Sequence, residues 1–246
     1  MTVDTSVHLS ALTADSEAFA QCAAGHLDQP VPSCPGWAVA DLVGHLGVVY
    51  SWVKMVVDAA GARPGSDRDG PPPERDQLVE WFADRRDAMV EALTGREPSS
   101  SAWIFAAPHT GDIGWWRRRQ ALETAVHLYD VQSATSTPAA VAPELAADGV
   151  DEVLTVFLPR FLARRDVPGL EGSVHLHCTD TDGEWVVEFG GSEPEVRREH
   201  AKADTALRGP ASDLFLLLWN RVTLDGAGLE VFGNRRVAEA LSDVRL

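Results

Sequence analysis

Apolar residues recur every three or four positions through the first two-thirds of this chain, and every second position in the stretch that follows. Steps of three and four share one face of a helix, whereas alternation puts side chains on the two faces of a strand. The chain must therefore divide into a helical part and a part that builds a sheet. Between residues 38 and 60 the helical spacing is carried by Leu42, Leu46, Val49, Val53, Val56 and Val57. Similar segments are expected at 6–27, 74–93, 112–133 and 143–165. Between them lie QPVPSCPGW, GARPGSDRDGPPPERD, TGREPSSS and STPAAVAP, rich in the Pro and Gly that end helices. Residues 103–110 read as irregular. After residue 165, SVHLHCTDTDGEWVVEFGG reads as two strands joined by an Asp-Gly turn, and ADTALRG and GLEVFG as further strands. PASDLFLLLWNRV and NRRVAEALSDV read as helices. The expected class is α+β: an N-terminal four- or five-helix bundle over residues 1–168, then a small mixed α/β domain over residues 169–246. No internal repeat or low-complexity tract interrupts this plan.

Charge narrows the function. The 246 residues carry 21 Lys and Arg against 37 Asp and Glu, a formal net charge of −16. Such a surface repels phosphates and anionic lipid heads, so neither a nucleic acid nor a membrane is an expected partner. The apolar runs are short of the ~20 residues that span a bilayer. The opening MTVDTSVHLSALTADSEAF has no basic and apolar leader pattern, and three cysteines, Cys22, Cys34 and Cys178, are too few for a disulfide framework. The expectation is a cytoplasmic protein.

The strongest local signal is Glu123 and His127 in ALETAVHLYD, because residues four apart on a helix stand one above the other and can share a metal ion. At about 100° per residue, Trp116, Arg119, Gln120, Glu123, His127 and Asp130 fall on one face, beside the apolar Trp115, Leu122, Val126 and Tyr129. His45, between Leu42 and Val49 on the inward stripe of the second helix, supplies a third ligand. Imidazole and carboxylate suit zinc, and also iron, nickel or manganese. Arg119 either orients Glu123 or binds an anion, and the rest of the Arg117–Arg119 run reads as a solvated face with one structural member. Asp130 either backs a ligand histidine or bonds to backbone. His109 reads as an exposed loop residue, Cys34 as structural and Trp37 as a packing anchor of its turn. His175 and His177 share one strand face, with no further ligand in view, and read as exposed.

VPSCPGWAVADLVGHLGVVYSWV resembles the N-terminal signature of the mycothiol-dependent maleylpyruvate isomerase family, in which a Pro-Gly-Trp turn leads into a helix with an early His-Leu. RRRQALETAVHLYD is similar to that family's second signature, and DLFLLLWNRVTLDGAGLEVFGNRRVAEAL to its C-terminal domain, so the resemblance spans nearly the whole chain. It implies a damage-inducible-B-like bundle followed by a domain similar to sterol carrier proteins. It implies zinc held by His45, Glu123 and His127, with mycothiol, a low-molecular-weight thiol, as cosubstrate. It also implies addition of the thiolate to a small, carboxylated electrophile, ending in isomerisation or in thiol S-transfer. Arg221 then becomes the catalytic arginine that grips the substrate carboxylate, and Arg119 the cofactor-binding one. The competing expectation is a non-enzymatic regulatory or ligand-binding module around a structural zinc.

Overall fold

The computed structural model describes residues 4–65, 70–164, 167–191, 193–226 and 228–244. Two compact units divide it, Asp4–Ala139 and Ala140–Leu246.

The first unit is built from α1 (Thr5–Ala23), α2 (Val39–Asp58), α3 (Leu78–Thr94) and α4 (Ile113–Thr135). Three of the four, α1, α4 and α2, start where a side chain satisfies an otherwise orphaned amide, whereas Gln77 before α3 makes no such bond. Asp4 accepts from the Ser6 amide at 2.7 Å, Asp112 from the Trp115 amide at 2.8 Å, and Asp41 from the Ala38 amide at 2.8 Å. The core is formed by Leu12, Phe19, Leu42, Leu46, Tyr50, Val53, Phe82, Met89, Leu93, Trp116 and Leu122, all with no exposed surface. Helix α2 is long and apolar enough by composition to cross a membrane, yet most of its apolar residues are buried, with Val48, Val49, Trp52 and Met55 partly exposed. Its buried Tyr50 hydroxyl is matched by Thr124 on α4 at 2.6 Å, which removes the cost of burying both groups.

The irregular stretch expected at 103–110 contains part of a small hairpin, β1 (Ser101–Trp103) paired antiparallel with β2 (Thr110–Asp112). Strands of three residues are too short for alternation to register in the sequence. His109 sits in its turn in the left-handed region, stacked on Trp103 at 6.1 Å between ring centroids and bonded to the Ile104 carbonyl at 3.2 Å.

The second unit begins earlier than residue 169. It takes in α5 (Pro143–Glu152), a π-helical turn (Val153–Phe157) and α6 (Leu158–Leu162), the segment expected to be the bundle's fifth helix. Helical periodicity shows that a segment has an apolar face, not which core that face joins. Here α5 packs on α7 (Ala211–Leu218), and Gly149 lets the two approach where the ring of the fully buried Phe215 leaves no room for a Cβ.

The sheet runs β5 (Glu195–Arg197), β4 (Glu184–Phe189), β3 (Gly172–Cys178), β6 (Thr205–Gly209), β7 (Glu230–Gly233). All neighbours are antiparallel except β3 and β6. Helices α7 and α8 (Arg235–Ser242) pack against β3 and β6, and the alternation of β3 sends Val174 and Leu176 into that core with no exposed surface. His175 and His177 stand on the opposite face, with Glu184 directly across from His177. The β3–β4 connection is five residues, 179–183, rather than a two-residue Asp-Gly turn.

Candidate metal centre

Helix α4 carries the site. Its polar stripe is the more deeply buried one: Trp116, Arg119, Gln120, His127 and Asp130 are all under 9% exposed. A carboxylate and two imidazoles meet there. His127 Nε2 lies 3.4 Å and His45 Nε2 3.6 Å from the same Glu123 oxygen, Oε1. The imidazole rings are edge to face, 5.1 Å apart, and one donor atom from each of the three residues lies within 4.8 Å of the others. Metal–ligand bonds of about 2.0–2.1 Å put tetrahedral donors roughly 3.3 Å apart, so this spacing accepts zinc with small adjustment.

Neighbouring groups aim those donors. Glu123 Oε2 is taken by the Arg119 guanidinium one turn back on the helix, which leaves Oε1 to the histidines. Burial alone would raise the Glu123 carboxyl, but Arg119 and the two imidazoles outweigh it and hold the group well below the usual carboxylate range. His127 Nδ1 donates to Asp130 Oδ2 at 2.9 Å, and Asp130 Oδ1 accepts from the Ser33 hydroxyl at 2.5 Å. The Asp130 bond holds one ring proton on Nδ1 and leaves Nε2, which faces Glu123, as the nitrogen a metal would take, the usual backing of a metal-binding histidine. Burial would lower the His127 pKa, yet Asp130 and Glu123 lift it to about 9, so without a metal this ring carries a proton that a metal must displace. Solvent reaches the cluster from the His45 side, where that side chain is 37% exposed and the Trp37 ring lies 5.3 Å away.

Sequence reasoning brought together His45, Glu123, His127, Arg119 and Asp130, and the structure places them together. It missed the loop. Trp37, read as the packing anchor of its turn, packs beside His45 with 37% of its surface exposed, and Ser33 and Cys34 reach across to Asp130, the thiol at 3.8 Å. Their signal was the adjacency of PSCPGW to the histidine helix. The arginine run is not a solvated face: Arg117 is 7% exposed and donates to the carbonyls of Leu93 and Arg96 at the end of α3, and Arg119 is 4% exposed. Arg221, in the second unit, follows the left-handed Asn220 beyond α7 and donates to the Trp219 carbonyl at 2.7 Å. His175 and His177 also differ from expectation, since His175 is only 8% exposed.

The N-terminal part matches the family model described as the mycothiol maleylpyruvate isomerase N-terminal domain over residues 9–132. The model of that family's C-terminal domain matches residues 144–240. Among solved structures, one described as the mycothiol-dependent maleylpyruvate isomerase is similar at a TM-score of 0.65 and 11% identity, over 94% of this chain and 96% of that one. A histidine-to-alanine mutant of that enzyme is similar at 0.66 and 11%, over the same shares. At such identity these likenesses establish the fold. No curated protein matches significantly. With one model covering half the chain and the second most of the remainder, the chain belongs to the mycothiol-dependent maleylpyruvate isomerase family.

Proposed function

We propose that the protein is a cytoplasmic, zinc-dependent enzyme that uses mycothiol to isomerise, or to conjugate, a small carboxylated electrophile such as maleylpyruvate. The observation that carries this reading is the convergence of His45 Nε2, Glu123 Oε1 and His127 Nε2, with the second Glu123 oxygen already committed to Arg119. Three protein donors with access from solvent suit a catalytic rather than a structural zinc. Cys34 contacts Asp130 and is not among the three clustered donors, which weakens the alternative of a four-ligand structural module. When bound, zinc favours a ligating thiol's thiolate at neutral pH, the nucleophilic form.

The chain's own groups prepare for that chemistry. Glu123 is ionised and so lowers the net charge of the cation it would hold. Asp130 keeps His127 in one tautomer, and Arg119 fixes which carboxylate oxygen faces inward. This favours an orienting role for Arg119 over direct cofactor binding. Arg221 is offered as the group that grips the substrate carboxylate, on the strength of its place in the LLLWNR segment and the fork geometry of guanidinium.

The test uses untagged, zinc-loaded protein given mycothiol and maleylpyruvate. Turnover that requires thiol in catalytic amounts supports an isomerase, and thiol consumed one for one with product supports a transferase. About one zinc lost on His45→Ala, Glu123→Ala or His127→Ala, together with activity, ties the reaction to this site. A zinc-loaded protein that never responds to thiol is a binding module instead.

A further inference from the structure

The second unit contains another convergence of ligand-type side chains, made by sheet register. On β3, His175 and His177 are two residues apart and share a face, and antiparallel pairing sets Glu184 of β4 opposite His177. The chain then runs through the edge strand β5 and, three residues after it ends, brings His200 back over Glu184. His177 Nδ1 bonds to Glu184 Oε1, His200 Nδ1 lies 2.9 Å from Oε2, and His175 Nε2 lies 3.9 Å from Oε2. One donor atom from each of the four residues falls within 4.8 Å of the others.

Two features separate this from an ordinary surface carboxylate with histidine neighbours. His175 is 8% exposed, and its Nε2 faces the cluster without a hydrogen-bond partner. A buried imidazole nitrogen left unpaired is costly, and a metal ion would satisfy it. Three imidazoles also surround one carboxylate, with ring centroids 5.2, 6.0 and 6.4 Å apart. Three imidazolium ions there would repel one another, whereas three neutral rings and a carboxylate form a donor set for a transition-metal dication. His177, Glu184 and His200 line a cleft of about 440 Å3, which gives an ion a way in.

We infer that His175, His177, Glu184 and His200 form a second divalent-metal site, of zinc-type preference, that fastens the chain beyond β5 to the centre of the sheet. Four protein donors make a closed shell, the arrangement of a structural rather than a catalytic ion. The three-residue strand β5 has one sheet neighbour, β4, so a staple from His200 to β3 secures an edge that backbone bonds hold weakly.

The inference does not depend on the bundle site. The full chain, untagged and stripped with chelator, is dialysed against zinc, and bound metal is counted in wild type, His45→Ala and His177→Ala/His200→Ala. The expected counts are two, one and one. If the bundle takes no zinc, the counts become one, one and none, which still supports this site while removing the other. Because the double variant can perturb β3, imidazole nitrogen NMR of the wild type provides the second measurement. Zinc is expected to shift the ring resonances of His175, His177 and His200. Unmoved resonances, or a double variant that binds as much zinc as wild type, would overturn the inference.

Discussion

The two histidine–carboxylate clusters differ in how the chain assembles them. In the bundle, Glu123 and His127 are neighbours because α4 is a helix, and only His45 must arrive from elsewhere. In the sheet, His177 meets Glu184 because two strands pair in one register, and His200 arrives by way of a third strand. The first arrangement needs the helical spacing of α4 and the placement of α2 beside it, which α1 and α3 support by packing on α4 and α2. The second fails if the register slips by a single residue, since that turns every side chain of the slipped strand to the other face. The clusters also differ in support. The bundle's carboxylate is steadied by Arg119 and one of its imidazoles by Asp130, while in the sheet His177 and His200 bond to Glu184 itself and the His175 Nε2 has no hydrogen-bond partner. A preorganised shell is what catalysis demands and a staple does not need.

That contrast can be broken most directly at Asp130. Asp130→Asn keeps the shape but removes the charge that accepts from His127 Nδ1, and an asparagine can present an amide to that nitrogen instead. Zinc affinity at the bundle is expected to fall about 10–100-fold, as for other outer-shell partners, with thiol-dependent activity following at limiting zinc. Metal retention at the sheet should not change. Calorimetric zinc titration of the variant measures both at once, and equal weakening of the two sites would mean that Asp130 matters to folding rather than to the ligand.

The next largest effect is expected in the second unit. Gly149→Ala pushes a methyl into the ring of Phe215, which has no exposed surface and nowhere to turn. Overpacking of this kind costs about 1–3 kcal/mol, and alanine returns at most about 1 through helix propensity. The thermal midpoint of the second unit is expected to drop by several degrees, at about 4–8 °C per kcal/mol for a unit of about a hundred residues. The bundle's own midpoint should stay put if the units unfold separately, which scanning calorimetry would resolve.

Acid–base behaviour separates the units as well. Burial pushes Asp15, on α1, up to about 6 from an ordinary 3.8. A folded-state value above the unfolded one favours the protonated form. Stability from this group is therefore complete below about pH 4 and declines as pH rises toward 6, above which the charged form remains at a disadvantage. Asp15→Asn should accordingly stabilise the bundle at pH 7.5 by on the order of 1 kcal/mol, discounted because the side chain is partly exposed, and give no gain at pH 4. Denaturant midpoints at the two pH values check it, and an equal gain at both would rule out charge burial as the cause.

How much was legible follows the same division between local and non-local contacts. The helices of the bundle and the ligand face of α4 could be read because period and spacing are properties of one segment. His45 could be read because it interrupts an apolar stripe. The boundary near residue 140, the strand β5 and the place of His200 beside Glu184 could not, since each is decided by a partner distant in sequence. The burial of Arg117 was not legible for the same reason: it is satisfied by carbonyls at the end of α3, more than twenty residues earlier in the chain.

The smallest expected effect sharpens the comparison by its contrast with Gly149. At Gly47 on α2, an added methyl would also overlap an aromatic ring, that of Trp81 on α3. The geometry alone therefore ranks the two glycines together. Trp81, however, is only half-buried, with the Arg85 guanidinium over its outer part at 5.6 Å, so it can swing toward solvent, whereas Phe215 is enclosed. The displacement cost at Gly47 should then be close to the ~1 kcal/mol that alanine gains over glycine inside a helix, and Gly47→Ala should change bundle stability by less than about 1 kcal/mol. Trp81 fluorescence should shift to the red as the ring moves into water. A loss as large as that of Gly149→Ala, without a spectral shift, would mean that Trp81 is held as rigidly as Phe215, and that the helices carrying the metal ligands are packed no more loosely than the core beneath the sheet.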